Sequence, residues 1–132
     1  GDTDSERAFC WLMQELAKAH ASVPGIDELS CTLRELLPEL ARFGTFNMLL
    51  SNGQALWAHA STTLWSIERR HPFGAATLAD DDLSVDFAAL AGEHDRVAVI
   101  ATEPLTCDET WSPFAAGEIR VFCGGAFRPM AA

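Results

Sequence analysis

The sequence has no excess of basic residues, no long apolar run and no paired cysteines, and each absence excludes something. Nine Lys and Arg stand against nineteen Asp and Glu, for a formal net charge of −10. Nucleic-acid binding needs a basic face to meet phosphate, and anionic membrane surfaces need the same. The composition argues against both partners. No apolar run approaches the ~20 residues of a membrane-spanning helix, and no charged n-region leads into an apolar h-region as in a signal peptide. The four cysteines, Cys10, Cys31, Cys107 and Cys123, are scattered, with no C-x-x-C pair. That usage predicts buried or half-buried thiols in a reduced, cytosolic protein rather than a disulfide framework or a metal site. There is no internal repeat, low-complexity segment or second domain, so residues 1–132 read as one domain.

What is present is a core. Hydrophobic residues make up 48% of the chain and charged residues 21%. Phe9, Leu12, Met13, Leu16, Ala17 and His20 recur at helical spacing, predicting an amphipathic helix over 4–21. Val23-Pro24-Gly25 ends it. A second helix carries Ile26, Leu29, Leu33, Leu36, Leu37 and Leu40 on one face, with a kink or restart expected at Pro38 and a stop at Gly44. From Thr45 the period changes to two. A hairpin is expected over 46–60 with a type I′ turn at Asn52-Gly53. Further strands are expected at Thr63–Glu68, Ala75–Leu78, Leu83–Phe87, Arg96–Thr102 (central, buried on both faces) and Ile119–Cys123. Helices followed by strands give an α+β fold, two helices and about six mostly antiparallel strands, with the helices covering one sheet face.

Few residues qualify for chemistry by pattern. Asp80-Asp81-Asp82 lacks the spacing that wraps a loop around calcium and reads as an acidic turn. His20, His59, His71 and His94 show no metal-ligand spacing. His20 suits a helix C-terminus. Trp57, Trp65 and Trp111 read as core. No G-x-S-x-G elbow, phosphate-cradling loop or dinucleotide fingerprint is present, and no cofactor or metal is expected. Cys107 is followed by Asp108, whose charge disfavours a thiolate, so thiol chemistry at Cys107 or Cys10 is a poor alternative. The opening GDTDSERAFCWL is more telling. Thr3 and Glu6 form a capping box, and Asp4 falls in the first helical turn, where the helix dipole stabilises a carboxylate. A structural Asp4 suffices on spacing alone, yet a carboxylate there is also placed to receive a ligand's ammonium group.

The run GDTDSE leading into an amphipathic helix resembles the T-D-[ST]-E segment of class II glutamine amidotransferases, the N-terminal-nucleophile (Ntn) type. FNMLLSNGQALWAHAS, RRHPFGAATL, VAVIATEPLTCDETW and GEIRVFC, in that order, resemble the second half of the small stand-alone bacterial members. The resemblance implies a four-layer αββα sandwich, of which this chain is the C-terminal part. It implies an enzyme, when complete, that cleaves the side-chain amide of glutamine or a γ-glutamyl amide through an N-terminal cysteine. Residue 1 here is Gly, so no catalytic residue is expected in this chain; Asp4 alone is expected to bind substrate, holding its α-ammonium group. Asn52-Gly53 sits in a hairpin and does not correspond to the family's oxyanion-hole Asn-Gly. The partners implied are the preceding half of the domain, as the same protein or a separate chain, and a glutamine-like small molecule. A homo-oligomer is compatible with this reading. The alternative is a catalytically inactive amidotransferase-like module that binds or scaffolds.

Overall fold

The computed structural model describes residues 4–70, 73–80, 84–86 and 94–129. Helix α1 runs Asp4–Ala19, with Asp4 and Glu6 in the first turn and Lys18 in the last, the order the helix dipole favours. It buries Ala8 and Leu12. Helix α2, Ile26–Leu40, buries Leu29, Ser30, Leu33, Leu37 and Leu40 along one stripe. The restart expected at Pro38 does not occur. Pro38 lies in the final turn, where its missing N–H deprives only the Arg34 carbonyl, and the chain tightens directly into a 3₁₀ turn at Ala41–Phe43. The two helices are tied by His20 Nε2, 2.8 Å from Thr32 Oγ1. That hydroxyl donates to the Glu28 carbonyl, so the imidazole nitrogen is the donor.

The strands form two main sheets and a ribbon, all antiparallel. Strands β1 (Met48–Ser51), β2 (Leu56–His59), β8 (Ile119–Cys123) and β9 (Ala126–Arg128) lie in the order β1-β2-β8-β9. Strands β3 (Trp65–Arg70), β6 (Arg96–Ala101) and β7 (Ser112–Pro113) lie in the order β6-β3-β7. Strands β4 (Ala75–Thr77) and β5 (Ser84–Asp86) pair with each other. Leu83 and Phe87, the ends expected for β5, lie outside the described residues.

The period of two along β2 and β8 sorts the core into two layers. Trp57 and Val121 face the helices and pack with Ala8, Leu12, Leu29, Leu33, Leu37 and Leu40. Ala58 and Phe122 face the other way and pack with Phe114, Leu64 and the β6 residues Ala98 and Ile100. Helices, four-stranded sheet and three-stranded sheet thus follow one another as three successive layers of an α+β fold. Trp57 is wholly buried, and its indole N–H donates to Ser30 Oγ at 2.8 Å. That hydroxyl in turn donates to the Ile26 carbonyl, so the polar groups of the helix–sheet interface are satisfied.

Three further expectations are corrected. The β1–β2 turn is a four-residue loop closed by the pair Ser51–Leu56, not a type I′ turn. Type I′ needs positive φ at both central residues, and among the described residues only glycines have it, Gly53 at 87° but not Asn52. The Asn52 side chain instead accepts the N–H groups of Gln54 and Ala55, both at 2.9 Å. Positive φ at two successive residues occurs at Gly124 and Gly125 (60° and 78°), which join β8 to β9. Strand β6 is not central. Among the described residues it pairs with β3 alone, and Val97 is 45% exposed. Its apolar run serves one face against β2 and β8 and leaves the other open. The thiols are not buried: Cys10, Cys31 and Cys107 are exposed and Cys123 is partly so. Helical spacing turns Cys10 and Cys31 away from the buried stripe that their neighbours Leu12, Ser30 and Leu33 occupy.

Candidate functional site

Asp4 opens α1 and is exposed to solvent; Thr3, its capping partner in the sequence reading, lies outside the described residues. The backbone that faces Asp4 is Gly44, at the end of the 3₁₀ turn. Gly44 has φ 140°, and a Cβ placed there would lie 3.9 Å from Asp4 Oδ2. Glycine therefore does two things here: it allows a turn that L-residues rarely adopt, and it leaves the space beside the carboxylate open. Gly44 also lines a cleft of about 460 Å³ between α2 and the β2–β8 sheet, together with Pro38, Thr45, His59 and Ser61. Asp4 does not line this cleft; it stands across Gly44 from it. Burial holds the His59 pKa below the ordinary histidine value, so its imidazole is neutral at pH 7 and offers one donor and one acceptor.

The other histidines and carboxylates of the sequence reading do not join this region as a group. His20 is engaged with Thr32, His94 and Asp80 are exposed, and His71, Asp81 and Asp82 lie outside the described residues. No group of three or more His, Cys, Asp or Glu side chains among the described residues is placed to hold a metal ion. No helix among them is long and apolar enough to cross a membrane.

Two charged networks were not anticipated. Arg120 on β8 spends all five of its N–H donors within the fold. Nε donates to Glu118 Oε2 at 2.7 Å, and one terminal nitrogen to Ser66 Oγ at 2.9 Å and Ser112 Oγ at 3.1 Å. The other donates to the Pro113 carbonyl at 2.7 Å and Glu118 Oε1 at 3.3 Å. Its guanidinium also lies 4.0 Å over the Phe114 ring. Burial pushes the Glu118 carboxyl up, but the hydrogen bonds from Arg120 and the Ala115 N–H, with the Arg120 charge, outweigh it and hold the pKa below the usual value. Arg120 is therefore a rivet between the two sheets, with no donor left over for a substrate carboxylate. Glu118 lies just before β8 and Arg120 within it, two positions apart, a spacing that could have flagged the pair.

Arg69 and Glu109, forty residues apart, gave no local signal. They form a two-pronged pair at 2.6 and 3.0 Å. Thr106 Oγ1 donates to the same carboxylate and accepts the Trp111 indole N–H, each at 2.8 Å. The Arg69 hydrogen bonds hold Glu109 below the usual carboxylate pKa. This chain clamps the 105–111 segment onto β3, and the neighbouring Thr77 N–H donates to Asp108 at 2.8 Å.

Comparison with known proteins agrees with this architecture. The model of the family described as "Glutamine amidotransferases class-II" matches residues 1–132. The chain is 47% identical over 126 residues to YafJ of Escherichia coli (strain K12), a protein provisionally named a glutamine amidotransferase; the match covers 95% of this chain and 49% of YafJ. A Haemophilus influenzae protein with the same provisional name is 39% identical over 125 residues, covering 95% of this chain and 42% of that protein. The 2.0 Å crystal structure of a Pseudomonas aeruginosa PA01 protein, assigned by prediction as a glutamine amidotransferase, superposes with a TM-score of 0.83 at 42% identity. That match covers 96% of this chain and 50% of that one. The chain thus spans about half the length of the relatives it matches. With a family model matched from end to end and a fold shared at this level of identity, the chain belongs to the class II glutamine amidotransferases.

Proposed function

We propose that this chain is the C-terminal half of a class II amidotransferase-type amidohydrolase. The complete protein cleaves the side-chain amide of glutamine, or a γ-glutamyl amide, with a nucleophilic cysteine supplied by the preceding half. In this reading the chain contributes one helical layer, strands of both sheets and one substrate contact. That contact is Asp4, whose carboxylate receives the substrate's α-ammonium group and so fixes the distance from the substrate's charged end to its amide. The observation that carries the assignment is an exposed carboxylate in the first turn of α1, facing a glycine that leaves room beside it. Four free thiols, three of them exposed, fit a reducing cytoplasmic setting.

The test is Asp4→Asn in the protein that contains both halves. The substitution keeps shape and capping ability and removes the charge. Losing a charge-assisted hydrogen bond to an ammonium group costs about 1.5–3 kcal/mol. At about 1.4 kcal/mol per factor of ten, kcat/KM for glutamine should fall roughly ten- to hundredfold, with the melting temperature little changed. A lowered melting temperature with wild-type kinetics would reduce Asp4 to a helix-dipole residue. The 132-residue chain alone should release no glutamate; release above background, abolished by a thiol reagent, would overturn the placement of the nucleophile outside it.

A further inference from the structure

We propose, resting on the reading of Asp4 as the substrate contact, that Asn47 is a positioning residue for that contact and holds in place the wall that faces it. Gly44 faces Asp4, yet residues 44–47 belong to neither helix nor strand. A binding group is only as precise as the structure that supports it. Something other than regular backbone pairing has to fix this segment, and the Asn47 side chain does.

The reason lies in how the β1–β2 ladder ends. Met48 pairs with His59, and the register stops there. Ala60 turns to its other neighbour: its N–H donates to the Glu118 carbonyl at 3.0 Å, and its carbonyl accepts the Gly117 N–H at 2.7 Å. The next two N–H groups, those of Ser61 and Thr62, donate to Asn47 Oδ1 at 2.9 and 3.2 Å. The Thr62 hydroxyl donates to the same oxygen at 3.4 Å. Asn47 Nδ2 donates to the Thr63 carbonyl at 3.1 Å. One side-chain amide thus stands in for the missing rung and grips residues 61–63 of the crossover from β2 to β3. Thr63 Oγ1 in turn donates to the Thr102 carbonyl, one residue past β6, at 3.3 Å.

This tie reaches the neighbourhood of Asp4. With Phe46, Asn47 lines a groove of about 220 Å³ whose lining includes Ser5, the residue after Asp4. Gly44 and Thr45 line the larger cleft, and Ser61, held by Asn47, lines it too. The segment that faces Asp4 therefore runs between the first turn of α1 and the crossover, with Asn47 as its anchor. Asparagine is a poor residue for the head of a strand, and its part-buried place here is accounted for by the four bonds it makes. Loosening them leaves the Asp4 carboxylate chemically intact and lets its surroundings move, which a substrate feels as weaker binding.

Kinetics of the protein that contains both halves test this. Asn47→Ala should raise KM for glutamine roughly tenfold and leave kcat within about twofold, because the lost precision acts on binding alone. Gly53→Ala, which strains the far end of the same hairpin at positive φ, should leave KM unchanged, and so separates positioning from a general loss of stability. In Asp4→Asn the wall has no charged contact left to align, so adding Asn47→Ala should raise KM no further. Should Asn47→Ala not fold, Asn47→Thr, which suits a strand but cannot reach both Ser61 and Thr63, carries the same expectations. A wild-type KM in the Asn47 variant, an equal rise in Gly53→Ala, or an Asn47 effect undiminished in Asp4→Asn would overturn the assignment. If Asp4→Asn keeps wild-type kinetics, the substrate contact fails and the positioning role with it. A loss in Asp4→Asn beside a silent Asn47 variant strikes the positioning role alone.

Discussion

Replacing Arg120 by Met isolates the energetics of the joint between the sheets, because the thioether fills much of the same space without charge. The Arg120 side chain is 12% exposed and its partner Glu118 34% exposed. Removing one member of a wholly buried ion pair costs about 3–5 kcal/mol. Glu118 reaches water, which softens that penalty. Against this, the contacts to Ser66, Ser112, the Pro113 carbonyl and the Phe114 ring all disappear together. The two corrections oppose each other, and roughly 3 kcal/mol is the resulting loss. For a domain of this size that corresponds to a melting temperature lower by about 10 °C. The internal control is Arg128→Met. Arg128 pairs with Asp27 at 3.3 Å with side chains 40% and 57% exposed, so about 0–1 kcal/mol is at stake. Urea unfolding of both variants, with Glu118→Gln added to the Arg120 variant, separates the contributions. The added substitution should recover part of the loss by removing an orphaned charge. If Arg120→Met costs no more than Arg128→Met, the guanidinium does not hold the sheets together and the reasoning fails.

Gly125→Ala would place a Cβ 2.2 Å from the Arg96 carbonyl oxygen at a φ of 78°, so it should destabilise strongly and shift both sheets in a spectrum. Gly53→Ala, also at positive φ (87°) but with open space around it, should cost only about 1 kcal/mol by thermal melt. Burial depresses the His59 pKa below 6.5. The unfolded chain therefore binds the proton first, and stability should fall as pH drops from about 6.5 through the folded value. A melting-temperature series across that window should be flatter in His59→Gln. Glu109, held low by Arg69, adds stability present above its ordinary pKa and lost as pH falls through the folded one, and Glu109→Gln should remove that acid limb.

Legibility followed the range of the forces involved. Strand β8 matches its expected bounds and α1 matches its own to within two residues, because periodicity and breakers act over a few positions, while α2 ends at Leu40 and a 3₁₀ turn fills the stretch up to the stop expected at Gly44. Asn52-Gly53 misled because a two-residue turn and an Asn-capped four-residue loop share that dipeptide, and strand register decides between them. Gly124-Gly125 carried an equally strong local signal that went unread: Ile119–Cys123 was expected to be the last strand, and β9 beyond the glycine pair was missed. The division into two sheets was not readable by periodicity: β2 and β3 are close in sequence yet belong to different layers. Arg69 and Glu109 meet only because distant segments are brought together. Asp4 was legible as a residue to watch by its position in a helix start, and its neighbour Gly44 was seen only as a stop signal.

The wholly buried indole of Trp57 has an optical consequence. The chain contains four tryptophans and no tyrosine, so its near-ultraviolet emission arises from indoles alone. Trp57, pinned to Ser30 beneath the helices, and Trp111, pinned to Thr106 beside β3, are the two buried ones. Each stands in a different layer. In a variant that keeps Trp57 alone, the others being Phe, a red shift would time the lifting of the helices, and in one that keeps Trp111 alone it would time the release of the 105–111 clamp. Each seam thus has its own native indole to report on it, with no external dye.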